Sequence, residues 1–226
     1  RISPSFPLRR YYKKNFTSMD IIIPVDATTE LPGILTIPEY ATGIVLFAHG
    51  SGSSRLSPRN TFVATELNNA SIATLLIDLL TEDEDSVYET RFDIDLLTQR
   101  LGVVAQWLSK NEQTQHLPLG LFGASTGAAS ALNLAVSQPN LIHAVVSRGG
   151  RPDMSLASLP LVQTPTLLIV GGNDTVVTDL NQQAYEQLLC EKEIAIIPGA
   201  THLFEEPGAL EQVSEHAIRW FIKYLK

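Results

Sequence analysis

Cysteine is almost absent from the sequence: Cys190 is the one cysteine among 226 residues. A single thiol excludes an internal disulfide framework and any metal site built from several cysteines. Cys190 lies in the helix-like stretch AYEQLLCEKE, where we interpret it as a buried or incidental thiol. Such sparing use of cysteine is typical of a reducing compartment, and we therefore predict a cytoplasmic protein.

Long apolar runs and an excess of positive charge are also missing. No run approaches the roughly 18–20 apolar residues that a membrane-spanning helix requires, so we predict no membrane span. The net charge is −8 at pH 7, which argues against a nucleic acid as partner. Hydrophobic residues make up 44% of the chain, enough to bury a substantial core. The oligomeric state, monomer or homodimer, stays open.

Acidic residues are lacking at the N-terminus, where residues 1–19 contain five basic side chains and no acid. A targeting remnant or a membrane-binding arm would have this composition, and so would an ordinary N-terminal arm or upstream extension, which we favour. We therefore predict a basic arm or leader over residues 1–18 and a single domain over residues 19–226.

Apolar segments rich in valine, isoleucine and leucine recur along the chain. Six of them are continuous rather than alternating, which is typical of parallel strands covered on both faces. These predicted strands are 43–50, 72–80, 117–125, 142–150, 164–174 and 193–200. Two earlier segments, MDIIIPVD and LPGILTIPEY, predict an antiparallel pair near one edge of the sheet, where Pro32 and Pro38 limit the ladder donors.

Helical patterns fill the gaps between the predicted strands, at 59–70, 91–110 and 126–138. The second helix carries four apolar residues on one stripe: Leu97, Leu101, Val104 and Leu108. A further helix closes the chain. This alternation indicates a doubly wound α/β fold, a mostly parallel sheet flanked by helices. Between residues 150 and 164 there is room for one short helix only, so we predict no cap domain.

The segment GASTG, residues 123–127, lies between a predicted strand and a predicted helix. This strand–GxSxG–helix order is the setting of a nucleophile elbow, in which the central serine stands on a sharp turn and exposes its hydroxyl. The glycines let neighbouring backbone pack closely, and the first helix amides point toward negative charge that develops on a substrate. A plain structural turn is the alternative; we predict that Ser125 is a catalytic nucleophile.

A serine hydroxyl needs a general base, and His202 is the histidine best placed to supply one. It lies between the last predicted strand and the closing helix, at the carboxyl end of the sheet, where ligands bind in α/β folds. The other histidines start or connect elements or lie within the last helix: His49, His116, His143 and His216. We interpret His49 as a residue that shapes the loop HGSG.

The acid that orients the base is predicted to be Asp174, which ends the penultimate strand. The order Ser125, Asp174, His202 along the chain is the order of an α/β-hydrolase triad. Asp153, which follows the preceding strand, is a rival acid, and Asp179 is a weaker one.

A developing oxyanion needs two backbone amides, one after the nucleophile and one from the loop after the first long strand. We predict Thr126 for the first and Ser51, in HGSGSS, for the second, with Gly52 as the fallback. A phosphate-binding loop is the competing interpretation, but the Lys–Ser/Thr ending of a P-loop is missing. Clustered metal ligands are not evident, so we predict neither a metal nor an organic cofactor.

Charged side chains on loops at the same end of the sheet are candidates for holding a substrate. The candidates are Arg55, Arg59, Asp78, Arg148 and Arg151. An arginine fork suits a substrate carboxylate, but ion pairs with Asp78 or with the acidic bend 81–90 would explain the same residues, and both interpretations stay open. The bend itself is interpreted as a solvated loop, with a movable flap as the alternative.

Six motifs, taken in chain order, resemble the α/β-hydrolase superfamily and, within it, the dienelactone-hydrolase-like branch of small members without a lid. The motifs are AHGSGSSRLSPRN, LLIDLLTEDE, GLFGASTGAAS, SRGGRPD, VGGND and GATHLFEEPG. The resemblance extends from about Met19 to the end of the chain and implies an α/β-hydrolase fold. Members of this branch commonly carry a cysteine nucleophile. Because Ser125 stands at that position here, the resemblance favours a serine esterase over an enzyme for dienelactone itself.

The sequence therefore predicts a hydrolase that cleaves carboxylic esters of small substrates through an acyl-enzyme. Dienelactone and other lactones, thioesters and small amides stay open as substrates, since the acyl pocket is built from loops without a readable code. Acyl transfer to an acceptor other than water, and a non-hydrolytic binder of small molecules on the same fold, are the alternative functions.

Overall fold

The structure, a computed structural model, describes residues 15–226 of the chain. Within this range, strands alternate with helices. The strands are β1 Phe16–Pro24, β2 Glu30–Pro38, β3 Ile44–Ala48, β4 Ala73–Ile77, β5 Leu119–Ala124, β6 Ile142–Arg148, β7 Thr166–Gly171 and β8 Lys192–Ile197. The α-helices are α1 Pro58–Asn69, α2 Glu82–Asp85, α3 Ile94–Leu108, α4 Thr126–Ser137, α5 Thr175–Gln187 and α6 Ala209–Tyr224.

The eight strands join one sheet in the order β1-β2-β4-β3-β5-β6-β7-β8. β1 pairs antiparallel with β2, and β2 pairs antiparallel with β4. The remaining pairs, from β4 through β3 and β5 to β8, are parallel. The predicted antiparallel pair therefore lies at one edge of a mostly parallel sheet, and the doubly wound α/β fold is confirmed.

Helices cover both faces of the sheet, and a buried hydrophobic cluster fills the space on each side. Helices α3, α4 and α5 contribute to one cluster, and α1 and α6 contribute to the other. Successive residues of β3 alternate between them: Leu46 belongs to the first, whereas Val45 and Phe47 belong to the second. Because both faces are covered, β3, β4, β5 and β7 are buried throughout, which explains their continuous apolar sequences.

The predicted apolar stripe of α3 is confirmed, since each of its four residues is buried: Leu97, Leu101, Val104 and Leu108. The predicted helical setting of Cys190 is wrong. α5 ends at Gln187, and Leu188 turns to an extended conformation in which its side chain is fully buried. Cys190 therefore lies in the turn before β8, half-buried and with a free thiol.

The acidic bend 81–90 is largely exposed, as predicted for a solvated segment, but it is regular rather than a loop, because it folds into α2 and the start of a short 3-10 helix at Tyr88–Phe92. Glu84 holds this segment in place. Its carboxylate accepts hydrogen bonds from the backbone N–H of Thr81 at 2.8 Å and from the buried guanidinium of Arg100 on α3. These bonds, that of Arg100 foremost, lower the pKa of Glu84 to about 2. The bend is thus attached to the body of the domain rather than hinged as a flap.

The structure differs from the predicted domain organisation at two places. β1 begins at Phe16, so residues 16–18, predicted as the end of the basic arm, form strand backbone, whereas residues 1–14 lie outside the described residues. Two short 3-10 helices, Pro152–Ser155 and Leu159–Leu161, occupy the segment where one short helix was predicted.

Within residues 15–226, none of the helices is long and apolar enough to cross a membrane.

α6 packs directly on β5 through Phe221. A methyl group on Gly120 would stand 2.6 Å from Cε1 of this fully buried ring. We expect Phe221→Ala to lower the free energy of unfolding by about 3–5 kcal/mol, because it removes a large buried side chain and leaves a cavity. Ile222→Ala is the matched control: Ile222 is 52% exposed, and its loss should cost about 0.5 kcal/mol or less. Urea denaturation measures both, and equal losses would contradict this packing.

Candidate active site

Ser125 occupies the sharp turn between β5 and α4. Its backbone has φ 50° and ψ −120°, a left-handed conformation that is uncommon for a residue other than glycine. Neighbouring glycines make the turn possible: a methyl group on Gly123 would stand 2.5 Å from Cα of Ala128, and one on Gly127 would stand 2.2 Å from the carbonyl oxygen of Ala48. The turn therefore has the strained geometry of a nucleophile elbow.

The backbone of Ser125 is anchored to the segment that follows β6. Its N–H donates to the carbonyl oxygen of Arg148 at 3.1 Å, and its own carbonyl oxygen accepts from the N–H of Arg151 at 3.0 Å. On the other side lies the loop after β3: a methyl group on Gly50 would stand 3.0 Å from Cβ of Ser125. The serine is thus fixed between two loops at the carboxyl end of the sheet.

His202 and Asp174 form a hydrogen-bonded pair, as the predicted triad requires. The distance from Nδ1 of His202 to Oδ2 of Asp174 is 2.7 Å. Since a carboxylate can only accept, Nδ1 carries the proton, which leaves Nε2 as the basic nitrogen of the neutral ring. The rival acids are placed elsewhere: Asp153 accepts two hydrogen bonds from Arg151, at 2.8 and 2.7 Å, and Asp179 is exposed on α5.

The imidazole of His202 lies beside the backbone that holds the serine. Gly149 follows Arg148, the residue that accepts the N–H of Ser125, and has φ 51°. A methyl group on Gly149 would stand 3.4 Å from the carbonyl oxygen of His202 and 3.5 Å from its ring atom Cε1. The structure therefore brings Ser125, Asp174 and His202 to one end of the sheet, from the ends of β5, β7 and β8.

The two predicted oxyanion residues are in direct contact. The N–H of Ser51 donates to Oγ1 of Thr126 at 2.9 Å, and Thr126 is almost fully buried. His49 supports the same loop from below, because Nδ1 donates to the carbonyl oxygen of Gly50 at 2.9 Å and Nε2 accepts from the N–H of Leu79 at 3.0 Å. Burial of the ring lowers the pKa of His49, so the imidazole is neutral near pH 7.

The predicted substrate-binding charges divide into two groups. Arg55 is paired with Asp78, to which its backbone N–H also donates at 2.5 Å, and Arg151 is paired with Asp153. These charges are therefore matched within the protein. Arg148 differs, because it is buried and takes part in none of the ion pairs within residues 15–226.

Arg91 lies at the candidate site although sequence reasoning did not select it. It extends from the short 3-10 helix after α2, where its Nε donates to the carbonyl oxygen of Asp85 at 2.7 Å. Its Nη1 would stand 3.3 Å from a methyl group on Gly52, so the guanidinium covers the loop after β3. Nothing in the charge pattern of the bend distinguishes this arginine, because its position depends on how the bend folds back.

A shallow polar depression adjoins this loop on the side of α1. It is lined by Gly52, Ser53, Ser54, Leu56, Ser57, Pro58, Arg59 and Asp85. Three serine hydroxyls and charged side chains of both signs give it a polar surface. Among residues 15–226, no group of three or more histidine, cysteine or acidic residues is placed to hold a metal ion.

Comparisons with known proteins agree with this fold. The sequence pattern of the Dienelactone hydrolase family matches residues 72–225. The crystal structure of a dienelactone hydrolase from Anabaena variabilis is 52% identical and superimposes with a TM-score of 0.90 over 93% of this chain and 99% of that chain. Est1E from Butyrivibrio proteoclasticus has a TM-score of 0.78 over 90% of this chain and 98% of that chain, and at 16% identity it bears on the fold alone.

Curated relatives from two strains of Mycobacterium tuberculosis are 54% identical over 193 residues, and their names propose a phosphoribosyl transferase. The match covers 85% of this chain but 44% of those proteins. More than half of their length therefore lies outside the comparison.

The buried imidazole of His49 makes stability depend on pH. Because its pKa is lowered from the ordinary value of 6.5, the unfolded chain binds a proton at this position before the folded chain does. The stabilisation is complete above pH 6.5 and is lost as the pH falls below it, at a slope of at most about 1.4 kcal/mol per pH unit.

We expect His49→Gln, whose amide can donate to Gly50 and accept from Leu79, to lose less stability than the wild type between about pH 7.5 and 5.5. Denaturant unfolding at the two pH values measures this difference. The exposed His116 offers a matched control, since His116→Gln should keep the wild-type slope. Identical slopes in all three proteins would contradict the assigned role of His49.

Proposed function

Because the chain belongs to the dienelactone hydrolase family, we propose that it is a serine hydrolase that cleaves carboxylic esters of small molecules. The family and its α/β-hydrolase fold support a hydrolase activity. The observation that carries the finer proposal is the 2.7 Å hydrogen bond between His202 and Asp174 next to the strained turn of Ser125. We assign Ser125 as nucleophile, His202 as base and Asp174 as the acid that orients it.

The chemistry proceeds through two acyl-transfer steps. Oγ of Ser125 attacks the ester carbonyl carbon while Nε2 of His202 takes the hydroxyl proton, and Asp174 stabilises the imidazolium that forms. The tetrahedral intermediate collapses as His202 returns the proton to the leaving alcohol, which leaves an acyl-serine. A water molecule then attacks the acyl group with His202 again as base, and the carboxylic acid and free Ser125 are released.

The oxyanion is held by the backbone amides of Thr126 and Ser51 in this proposal. Both belong to segments that touch Ser125, and the bond from Ser51 N–H to Oγ1 of Thr126 keeps the first loop at the start of α4. When the carbonyl oxygen of a substrate arrives, the Ser51 amide turns toward it from the neutral hydroxyl, since a charged acceptor forms the stronger hydrogen bond. Gly52 then acts as the flexible end of this loop, under Arg91.

The surroundings of the site support small, polar substrates. No cap domain covers the sheet between β6 and β7, where the chain forms only two short 3-10 helices. The depression next to the oxyanion loop is lined largely by serines and charged residues rather than by apolar side chains. Long acyl chains would gain little burial on such a surface, whereas short esters and lactones with polar groups would find hydrogen-bond partners.

The first test is labelling by a fluorophosphonate together with turnover of p-nitrophenyl acetate. We expect a covalent label on Ser125, found by mass spectrometry, and a loss of turnover of about 10³-fold or more in Ser125→Ala, because the residual rate comes from binding and oxyanion stabilisation alone. Ser137→Ala, at the exposed far end of α4, is the control, and its activity should stay near the wild-type value. A folded wild-type protein without label or turnover would favour a non-hydrolytic binder.

The identity of the acid is tested by replacing each candidate aspartate with asparagine. Asp174→Asn should lower kcat by about 10⁴-fold, because the amide no longer fixes the tautomer and charge of His202. Asp153→Asn and Asp179→Asn are matched controls and should keep kcat within a few-fold of the wild type. A larger loss in Asp153→Asn than in Asp174→Asn would transfer the role to Asp153.

A further inference from the structure

Arg148, at the carboxyl end of β6, is a buried cation whose charge is not matched by any residue from 15 to 226. Its side chain is on the face of the sheet covered by α1 and α6, and the residue is 8% exposed. Nη2 donates to Oδ1 of Asn60 at 3.3 Å, but Nε and Nη1 have no hydrogen-bond partner among residues 15–226. A buried guanidinium with two unused donors is strongly disfavoured unless something accepts from it.

The charged neighbour of Arg148 is a second cation, Arg59. At its outer end, Arg59 forms an ion pair: Nη1 donates to the exposed carboxylate of Glu205 at 3.2 Å. Its Nε is buried and, in the part of the chain that the structure describes, also lacks an acceptor. Burial and the charge of Arg59 together lower the pKa of Arg148 to about 10, so Arg148 remains a cation at neutral pH. Their unused donors call for an anion.

The first turn of α1 belongs to the same arrangement. Arg59 and Asn60, the residue that binds Arg148, follow Pro58 at the beginning of the helix, and the turn contains no acidic residue. The positive end of the helix dipole therefore adds to the charge of the two guanidinium groups, where an acidic side chain would otherwise be favoured. The N-terminus of α1 and the two arginines therefore attract the same kind of ligand, an anion.

Buried side chains around Arg148 limit the size of a ligand there. The ring of Phe204 covers the guanidinium of Arg148, with 5.8 Å from Cζ to the ring centre, and Phe204 is 1% exposed. Asn60, on another side, is 2% exposed. We propose that Arg148 and Arg59 form a site for one small monovalent anion, of the size of a halide ion or a single carboxylate group.

The position of Phe204 connects this site to the catalytic loop. Phe204 follows His202 by two residues, has φ 54°, and its N–H donates to the carbonyl oxygen of Thr201 at 3.2 Å. An anion between the two arginines holds Arg148 against the ring and so steadies the loop that carries His202. Neither the hydrolase mechanism nor the family membership requires this site, and the proposal does not depend on whether the anion is a free ion or part of a substrate.

Thermal unfolding in sodium bromide tests the proposal, with sodium methanesulfonate as the replacement salt at constant ionic strength. Bromide is a small monovalent anion of the proposed size, whereas methanesulfonate is a larger one that the proposal excludes. We expect the Tm of the wild type to rise by about 2–4 °C when bromide is in several-fold excess over its dissociation constant. The rise should be absent in Arg148→Gln and retained in Arg219→Gln, whose exposed arginine pairs with Glu193 on the outer surface. An equal rise in all three proteins would overturn the site.

A second variant keeps the test decisive if Arg148→Gln fails to fold. Arg59→Lys preserves the positive charge but removes the inward Nε–H, so the bromide concentration that gives half of the Tm rise should increase several-fold. Crystals grown in bromide give an independent readout, with an anomalous peak expected next to Nε and Nη1 of Arg148. Unchanged bromide dependence in Arg59→Lys, or crystals without this peak, would contradict the proposal.

The anion can be a free ion or the carboxylate of a substrate, and kinetics distinguish these sources. If p-nitrophenyl hydrogen succinate places its carboxylate in the site, bromide competes with it and raises its KM in the wild type. The KM of this ester should then not respond to bromide in Arg148→Gln. The KM of p-nitrophenyl acetate, which has no carboxylate, should stay unchanged. If bromide raises the Tm without changing either KM, the ligand is a free ion; both results support the site. A failure to hydrolyse either ester would count against the ester hydrolase alone, because the Tm and the crystal do not depend on turnover.

Discussion

The contact between Gly127 and the end of β3 is the constraint on which the site depends. Any side chain at Gly127 would collide with two carbonyl oxygens, 2.2 Å from that of Ala48 and 2.6 Å from that of His49. The start of α4 therefore touches the backbone that leads into the oxyanion loop. This single close approach sets the strained turn of Ser125 and lets the hydroxyl of Thr126 reach the amide of Ser51.

The fold could be predicted from the sequence because it rests on demands of the backbone. Parallel strands that are buried on both faces must be apolar throughout, as β3 and β5 are. A nucleophile elbow needs glycines where two segments of backbone come into close contact. The choice of Asp174 as the acid stays a prediction, since Asp153 and Asp174 both follow strands. Their partners in the structure differ, because Arg151 binds Asp153 and His202 binds Asp174.

The partners of several charged residues could not be predicted, because they are contributed by elements that lie far away in the sequence. The acidic bend has the composition of a solvated loop, yet a capping box at Thr81 and the buried Arg100 of α3 give Glu84 its partners. Arg148 shows the reverse: a residue type that is usually exposed is buried between α1 and the loop after β8. A linear sequence does not reveal which distant element will cover a charge.

The three assigned catalytic groups differ in how securely the sheet holds them. Ser125 follows β5, which has a paired strand on each side, whereas His202 follows β8, the outermost strand, which pairs on one side only and is partly exposed. Edge elements open locally at a lower free energy than central ones. Heat should therefore detach the base from its acid while the nucleophile turn is still intact. Catalytic competence then ends at a lower temperature than the fold itself, and it returns on cooling without refolding of the core.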